Sequence, residues 1–134
     1  MFPEQVHYSR ADGNGWKIKD WETANKLLSY LNPEKNIFVI FELSDNSYIQ
    51  CFGSKAELTV EARVYENQKN YEHWVFAKGE LNHKKVKLGK EDNFVEVDSS
   101  EVLKMRDARI IIKQFLEERS FTEKYSKHES IYRL

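Results

Sequence analysis

Ala56-Glu57-Leu58-Thr59-Val60-Glu61-Ala62-Arg63-Val64-Tyr65-Glu66 is the stretch that decides the fold. Successive side chains of a strand point to opposite faces, so Leu58, Val60, Ala62 and Val64 face one way and Thr59, Glu61, Arg63 and Tyr65 the other. One apolar and one polar face is the pattern of an antiparallel strand resting on a core. Downstream, Asn67-Gln68-Lys69-Asn70 turns the chain into a strand from Tyr71 to Lys78, where His73, Val75 and Ala77 share a face and Trp74 and Phe76 share the other. Upstream, Gly53-Ser54-Lys55 leads back to Tyr48 through Phe52, and Ser44-Asp45-Asn46-Ser47 leads back to a strand over 37–43. In that strand Ile37, Val39, Phe41 and Leu43 line one face while Phe38 and Ile40 make the other apolar too. Such a strand belongs in the middle of a sheet, covered on both sides over part of its length.

The flanks supply the remaining elements. A strand from Gln5 to Ser9 is followed by the turn residues Ala11-Asp12-Gly13-Asn14-Gly15, after which Trp16 and Ile18 resume the alternation. Asp20 caps a helix running to about Leu31, with Trp21, Ala24, Leu28 and Leu31 on its apolar face and Asn32-Pro33 ending it. Short strands at Lys85 to Leu88 and Asn93 to Val97 carry interspersed Lys and Glu and are expected at the periphery. Asp98, Ser99 and Ser100 offer caps for a second helix over 99–118, whose stripe is Met105, Ala108, Ile111, Ile112, Phe115 and Leu116. Lys104, Arg106, Asp107, Arg109, Lys113 and Glu117 are expected on its solvated side. The tail, 120–134, is polar except for Phe121, Tyr125, Ile131, Tyr132 and Leu134, and is open to a short strand, a docked extended segment or fraying. The expected fold is α+β: a single domain over 1–134, with a central antiparallel sheet of about five to seven strands in largely meandering order and two α-helices, about 20–31 and 99–118.

With 134 residues the chain has the usual size of one domain and needs no disulfide or metal staple to fold. Its 21 Lys and Arg against 22 Asp and Glu lack the basic excess that phosphate neutralisation favours, so no nucleic-acid partner is expected. The single Cys51 has no internal partner and sits in an apolar strand, which suits a small core residue and a reducing, cytoplasmic setting. The amino-terminal residues have neither the basic start nor the apolar stretch of an export signal, so none is expected. The longest wholly apolar run, Ile37 to Phe41, is far short of the roughly 20 residues that span a bilayer, so no membrane insertion is expected.

A search for chemistry returns little. Of His7, His73, His83 and His128, only His73 stands where it could meet an acid or base across a hairpin, namely Glu61 or Arg63. It is either a general acid-base group or, as such strand histidines usually are, a partly buried residue with a hydrogen-bond partner. His83 lies in a polar loop without the paired ligands of a zinc site. Gly13-Asn14-Gly15 has no following Lys-Ser and makes no phosphate cradle. Glu91-Asp92 and Glu117-Glu118 read as solvated faces that can complement a basic partner. No catalytic residue, cofactor or metal ligand is assigned. An RNA-stacking reading rests on Tyr48, Phe52, Tyr65, Trp74 and Phe76, but the Gly-Phe-type recognition signature is missing.

The order of elements carries a resemblance. Trp16, the helix with Trp21 and Leu27-Leu28, the strands Phe38 to Leu43 and Tyr48 to Phe52, Glu61-Ala62-Arg63, Trp74 with Gly79, Val95-Glu96-Val97, the helix around Ala108 and Phe115-Leu116, and a tail rich in Tyr and Arg together resemble the first immunity family of contact-dependent inhibition and polymorphic-toxin systems. The last helix ends Glu118-Arg119-Ser120-Phe121, where that family usually has a small residue and Arg-Pro. The resemblance implies a small α+β protein without catalytic residues. Such a protein acts in the cytoplasm, binding the C-terminal domain of a cognate toxin, in the typical case a nuclease, and occluding its active site or a surface it needs. Binding would then come from a few aromatic and Arg anchors within a charged rim. The expected contact residues are Glu61, Arg63, Tyr65, Glu72 and Trp74, on one surface if the hairpin pairs as read. The competing readings are a regulatory or adaptor protein and an enzyme using His73.

Overall fold

The computed structural model describes residues 2–3 and 5–129 and is α+β. Among the described residues nine strands form in chain order: β1 Val6–Arg10, β2 Gly15–Ile18, β3 Phe38–Leu43, β4 Tyr48–Gly53, β5 Leu58–Tyr65, β6 Tyr71–Ala77, β7 Lys85–Lys90, β8 Asn93–Asp98 and β9 Ser126–Glu129. The helices are α1, Trp21–Leu28, and α2, Met105–Glu118. Seven strands make one antiparallel sheet in the order β2-β1-β3-β4-β5-β6-β9, and β7 and β8 pair separately. The run β3 to β6 is the expected meander, because each link is a short turn. Asn46 at φ 76 makes one of these turns, and Ser54 and Glu57 exchange bonds across the next.

The main core lies between one face of this sheet and both helices, which touch each other on it. Tyr8, Val39, Phe41, Ile49, Val60 and Ala62 supply the sheet side, and Ala24, Leu28, Ala108, Ile112, Phe115 and Leu116 the helix side, all fully buried. Cys51 is in this core, and burial pushes its thiol up to about 12, so it stays protonated and inert. On the second face the β7–β8 hairpin packs against β4. Ile37, Phe52, Ala77, Leu88 and Val97 are buried outside the main core. The expectation of cover on both sides of the 37–43 segment is met in part: Val39, Phe41 and Leu43 are in the main core, Phe38 and Ile40 are half-buried, and Ile37, expected beside Val39, is buried outside the main core. The other half of the second face is left open, and that division positions the candidate site.

Both helices are shorter than expected. α1 has its Asp20 cap, whose side chain accepts from Thr23 N, but after Leu28 the amides of Ser29, Tyr30 and Leu31 donate three residues back, tightening the end into a 3-10 turn. The second helix starts at Met105, not at 99. Asp98 caps only a single 3-10 turn, Ser99–Glu101, with Glu101 reaching back to the Asp98 amide. Leu103 is then drawn into two backbone bonds with Leu58, which forces extended backbone and postpones the helix.

Asp107 corrects a second expectation. It is buried instead of solvated, with Oδ1 accepting from the Tyr125 hydroxyl at 2.6 Å and Oδ2 accepting from Lys104 N at 2.9 Å. Tyr125 leads into β9, which closes the sheet on β6 and is held by His128 through Glu101 Oε2 at 2.8 Å and the Gly79 carbonyl at 2.7 Å. The expectation of a short strand in the tail is met over Ser126–Glu129; Ile131, Tyr132 and Leu134 lie outside the described residues. Among the described residues no helix is long and apolar enough to cross a membrane.

Candidate functional site

The open half of the second face is built by β4, β5 and β6. Their register sets Tyr48 opposite Arg63, Arg63 opposite His73, Gln50 opposite Glu61 and Tyr65 opposite Tyr71. Directly opposed side chains on one face of an antiparallel pair lie close enough to interact, so two hairpins gather these residues into one cluster.

At its centre, His73 is only 5% exposed and both of its ring nitrogens are engaged. Arg63 Nε donates to Nδ1 at 3.1 Å, and Nε2 lies 2.6 Å from Glu61 Oε2. Because Arg63 can only donate, Nδ1 must accept, and the ring proton sits on Nε2 facing the carboxylate. The sequence reading offered Glu61 or Arg63 as the partner of His73; the geometry supplies both. With neither nitrogen turned outward, a substrate would have to break one of these bonds before His73 could take its proton.

Arg63 is in turn enclosed by aromatic rings. Its guanidinium carbon is 4.2 Å from the centroid of Tyr71 and 5.7 Å from that of Tyr48, and Tyr65 and Tyr71 stand 5.2 Å apart. Tyr48 also meets His73 edge-on at 6.1 Å. Desolvation opposes the Arg63 charge, but the Tyr65 side chain and the surrounding tyrosines outweigh it and hold its pKa above the ordinary value. The Tyr65 backbone amide donates to the buried Ser47 hydroxyl, pinning this end of β5 to the β3–β4 turn. The result is a rigid aromatic and cationic surface whose tyrosines are half-buried at 48 and 65 and exposed at 71.

The chain matches no family model and no curated protein.

Of the five expected contact residues, Glu61, Arg63 and Tyr65 share this surface. Glu72 and Trp74 do not. Glu72 pairs with Val64 and Trp74 with Ala62, which puts both on the helix-bearing face. There Trp74 meets Phe121 edge-on at 5.8 Å, under the Lys127 ammonium at 4.4 Å. The error is one of register: residues opposite Arg63 and Tyr65 are His73 and Tyr71, so the surface takes the odd-numbered residues of β6. Tyr48 and Tyr71 share this surface but are not among the expected residues, although the alternation of β6 separates His73 from Trp74. Among the described residues no group of three or more His, Cys, Asp and Glu could hold a metal ion.

Proposed function

We propose that this chain is a protein-binding module of the immunity type, docking a cognate toxin domain on the open half of its sheet. The observation that carries the reading is Arg63 held between Tyr48 and Tyr71, with Tyr65 alongside and with its Nε bonded to His73. Tyr and Arg are among the residue types that most often dominate binding energy at protein interfaces, and a pre-ordered anchor loses little side-chain entropy on docking. Glu42, opposite Tyr48, is exposed beside the cluster and supplies an acidic group for a rim that suits a basic nuclease domain. Two arrangements weigh against the other readings. The ring nitrogens of His73 are already committed, which disfavours acid-base catalysis, and Arg63 occupies a face of Tyr71 that a stacking base would need.

The test is co-expression with the toxin domain encoded beside this chain. A one-to-one complex, rescue of growth, and a loss of at least about 2 kcal/mol in binding for Arg63→Ala are expected. Absence of rescue and of a complex with any neighbouring toxin domain would reject the immunity reading. Full binding by Arg63→Ala would move the interface elsewhere.

A further inference from the structure

A hollow of about 450 Å³ opens away from the tyrosine cluster, lined by Lys78, Arg106, Asp107, Ile110, Lys124 and Tyr125. Its three cations come from three elements: Lys78 directly follows β6, Arg106 lies in the first turn of α2, and Lys124 lies in the turn before β9. Its one carboxylate is already occupied. Asp107 accepts from the Tyr125 hydroxyl, from Lys104 N and, at 3.4 Å, from the Lys78 ammonium. Three cations against one carboxylate leave the hollow two charges positive in a chain whose net charge is -1.

The placement of Arg106 sharpens this. The first turn of a helix is the positive end of its dipole, where acidic side chains stabilise and cations do the reverse. α2 nevertheless has Lys104 at its cap and Arg106 in that turn, with Asp107 as the only acidic residue there. Asp107 is shared between Lys104 N, Lys78 and Tyr125, so this single carboxylate does not offset the Arg106 charge as well. Exposed Ile110 forms an apolar wall beside the charged groups. A volume within the roughly 300–1,000 Å³ of small-molecule sites exceeds what a bare oxyanion fills.

We infer that this hollow binds a phosphate-bearing small molecule, the phosphate meeting Arg106, Lys124 and Lys78 and the organic part lying on Ile110 and Tyr125. Arg106 presents a planar fork suited to two phosphate oxygens, and the two lysines add point charges from the opposite walls. This site is separate from the tyrosine cluster and does not depend on the immunity reading.

The experiment is a nuclear magnetic resonance titration of the full chain with adenosine monophosphate, with adenosine as the uncharged control. Saturable shifts at Arg106, Ile110 and Tyr125 are expected, with adenosine at least about tenfold weaker. Arg106→Ala/Lys124→Ala should weaken the nucleotide at least about tenfold while leaving the rest of the spectrum unchanged, and Lys124→Glu, which keeps Arg106, should also weaken it. Inorganic phosphate should shift the same residues more weakly. No saturable shift up to about 10 mM nucleotide, equal binding of adenosine, or unchanged binding by both variants would overturn the proposal.

Discussion

Tyr125→Phe removes one hydroxyl and tests the least expected part of the fold, the buried Asp107. Tyr125 is 5% exposed and Asp107 4%, and their hydrogen bond is 2.6 Å long. A hydrogen bond to a buried charged group contributes about 1.5–3 kcal/mol, because the group left behind cannot recover its water. Titration gives an independent figure. Burial, then the Asp107 carboxylate accepting its proton, pushes the Tyr125 hydroxyl up to about 12, against about 10 for a free tyrosine. That difference corresponds to roughly 2–3 kcal/mol of stability lost once the hydroxyl ionises, with burial contributing more to it than the bond to Asp107. For a chain of this length an unfolding entropy of roughly 0.28 kcal/mol/K turns 2 kcal/mol into a fall in Tm of about 7 °C. The sign with pH follows from the raised value. The folded state holds the proton more tightly than the unfolded state, so the contribution is complete below about pH 10 and is lost as pH rises towards 12. Urea unfolding of both proteins should therefore show a gap of about 2 kcal/mol at pH 7 to 9, narrowing to about 0.6 kcal/mol by pH 11. Comparing the two cancels the alkaline loss from Cys51, which both contain. A gap below about 0.5 kcal/mol at pH 7, or one that does not narrow with pH, would refute the reasoning.

Three further outcomes are expected. Gly53→Ala should destabilise far more than Gly79→Ala: both glycines have positive φ, 128° and 132°, but a Cβ at Gly53 would stand 2.5 Å from the Glu57 carbonyl oxygen, whereas one at Gly79 would meet nothing within 4 Å; thermal melts that rank them equally would remove the steric argument. Asp98 accepts from the Ser100 hydroxyl first, and also from the Asn82 and Ser100 amides, which holds its carboxyl well below the usual range; its stabilisation is present above about pH 4 and is lost as pH falls below that, so Asp98→Asn should flatten the acid limb of a stability–pH curve. Cys51 should resist a thiol reagent such as dithionitrobenzoate in native buffer and react fully in denaturant, and rapid native labelling would contradict its burial.

The candidate site was half legible. Alternation along β5 is uninterrupted, so local pattern alone sets Glu61, Arg63 and Tyr65 on the outer face, whereas their grouping with residues of β6 rests on how the hairpin pairs. Its surroundings depend on which residues of β4 and β6 stand opposite it. A shift of one position exchanges every residue of a strand between faces, and grouping Glu72 and Trp74 with Arg63 was such a shift. Asp107 failed for another reason. Helical periodicity sets it beside Lys104 and Arg106, but a segment 18 residues downstream brings Tyr125 over it, and no local pattern carries that contact.

By itself the sequence determined the α+β class, the meander from β3 to β6, the apolar stripes of both helices and the burial of Cys51, because each follows from side-chain period and turn chemistry over a few neighbouring residues. The tertiary structure alone decided the insertion of β1 between β2 and β3, the closing of the sheet by β9, the delayed start of α2 and the assembly of Tyr48, Arg63, Tyr71 and His73 on one surface. Those features are set by backbone pairing and burial between segments far apart in the chain. The free energy that fixes them comes from contacts that exist only once the sheet has formed.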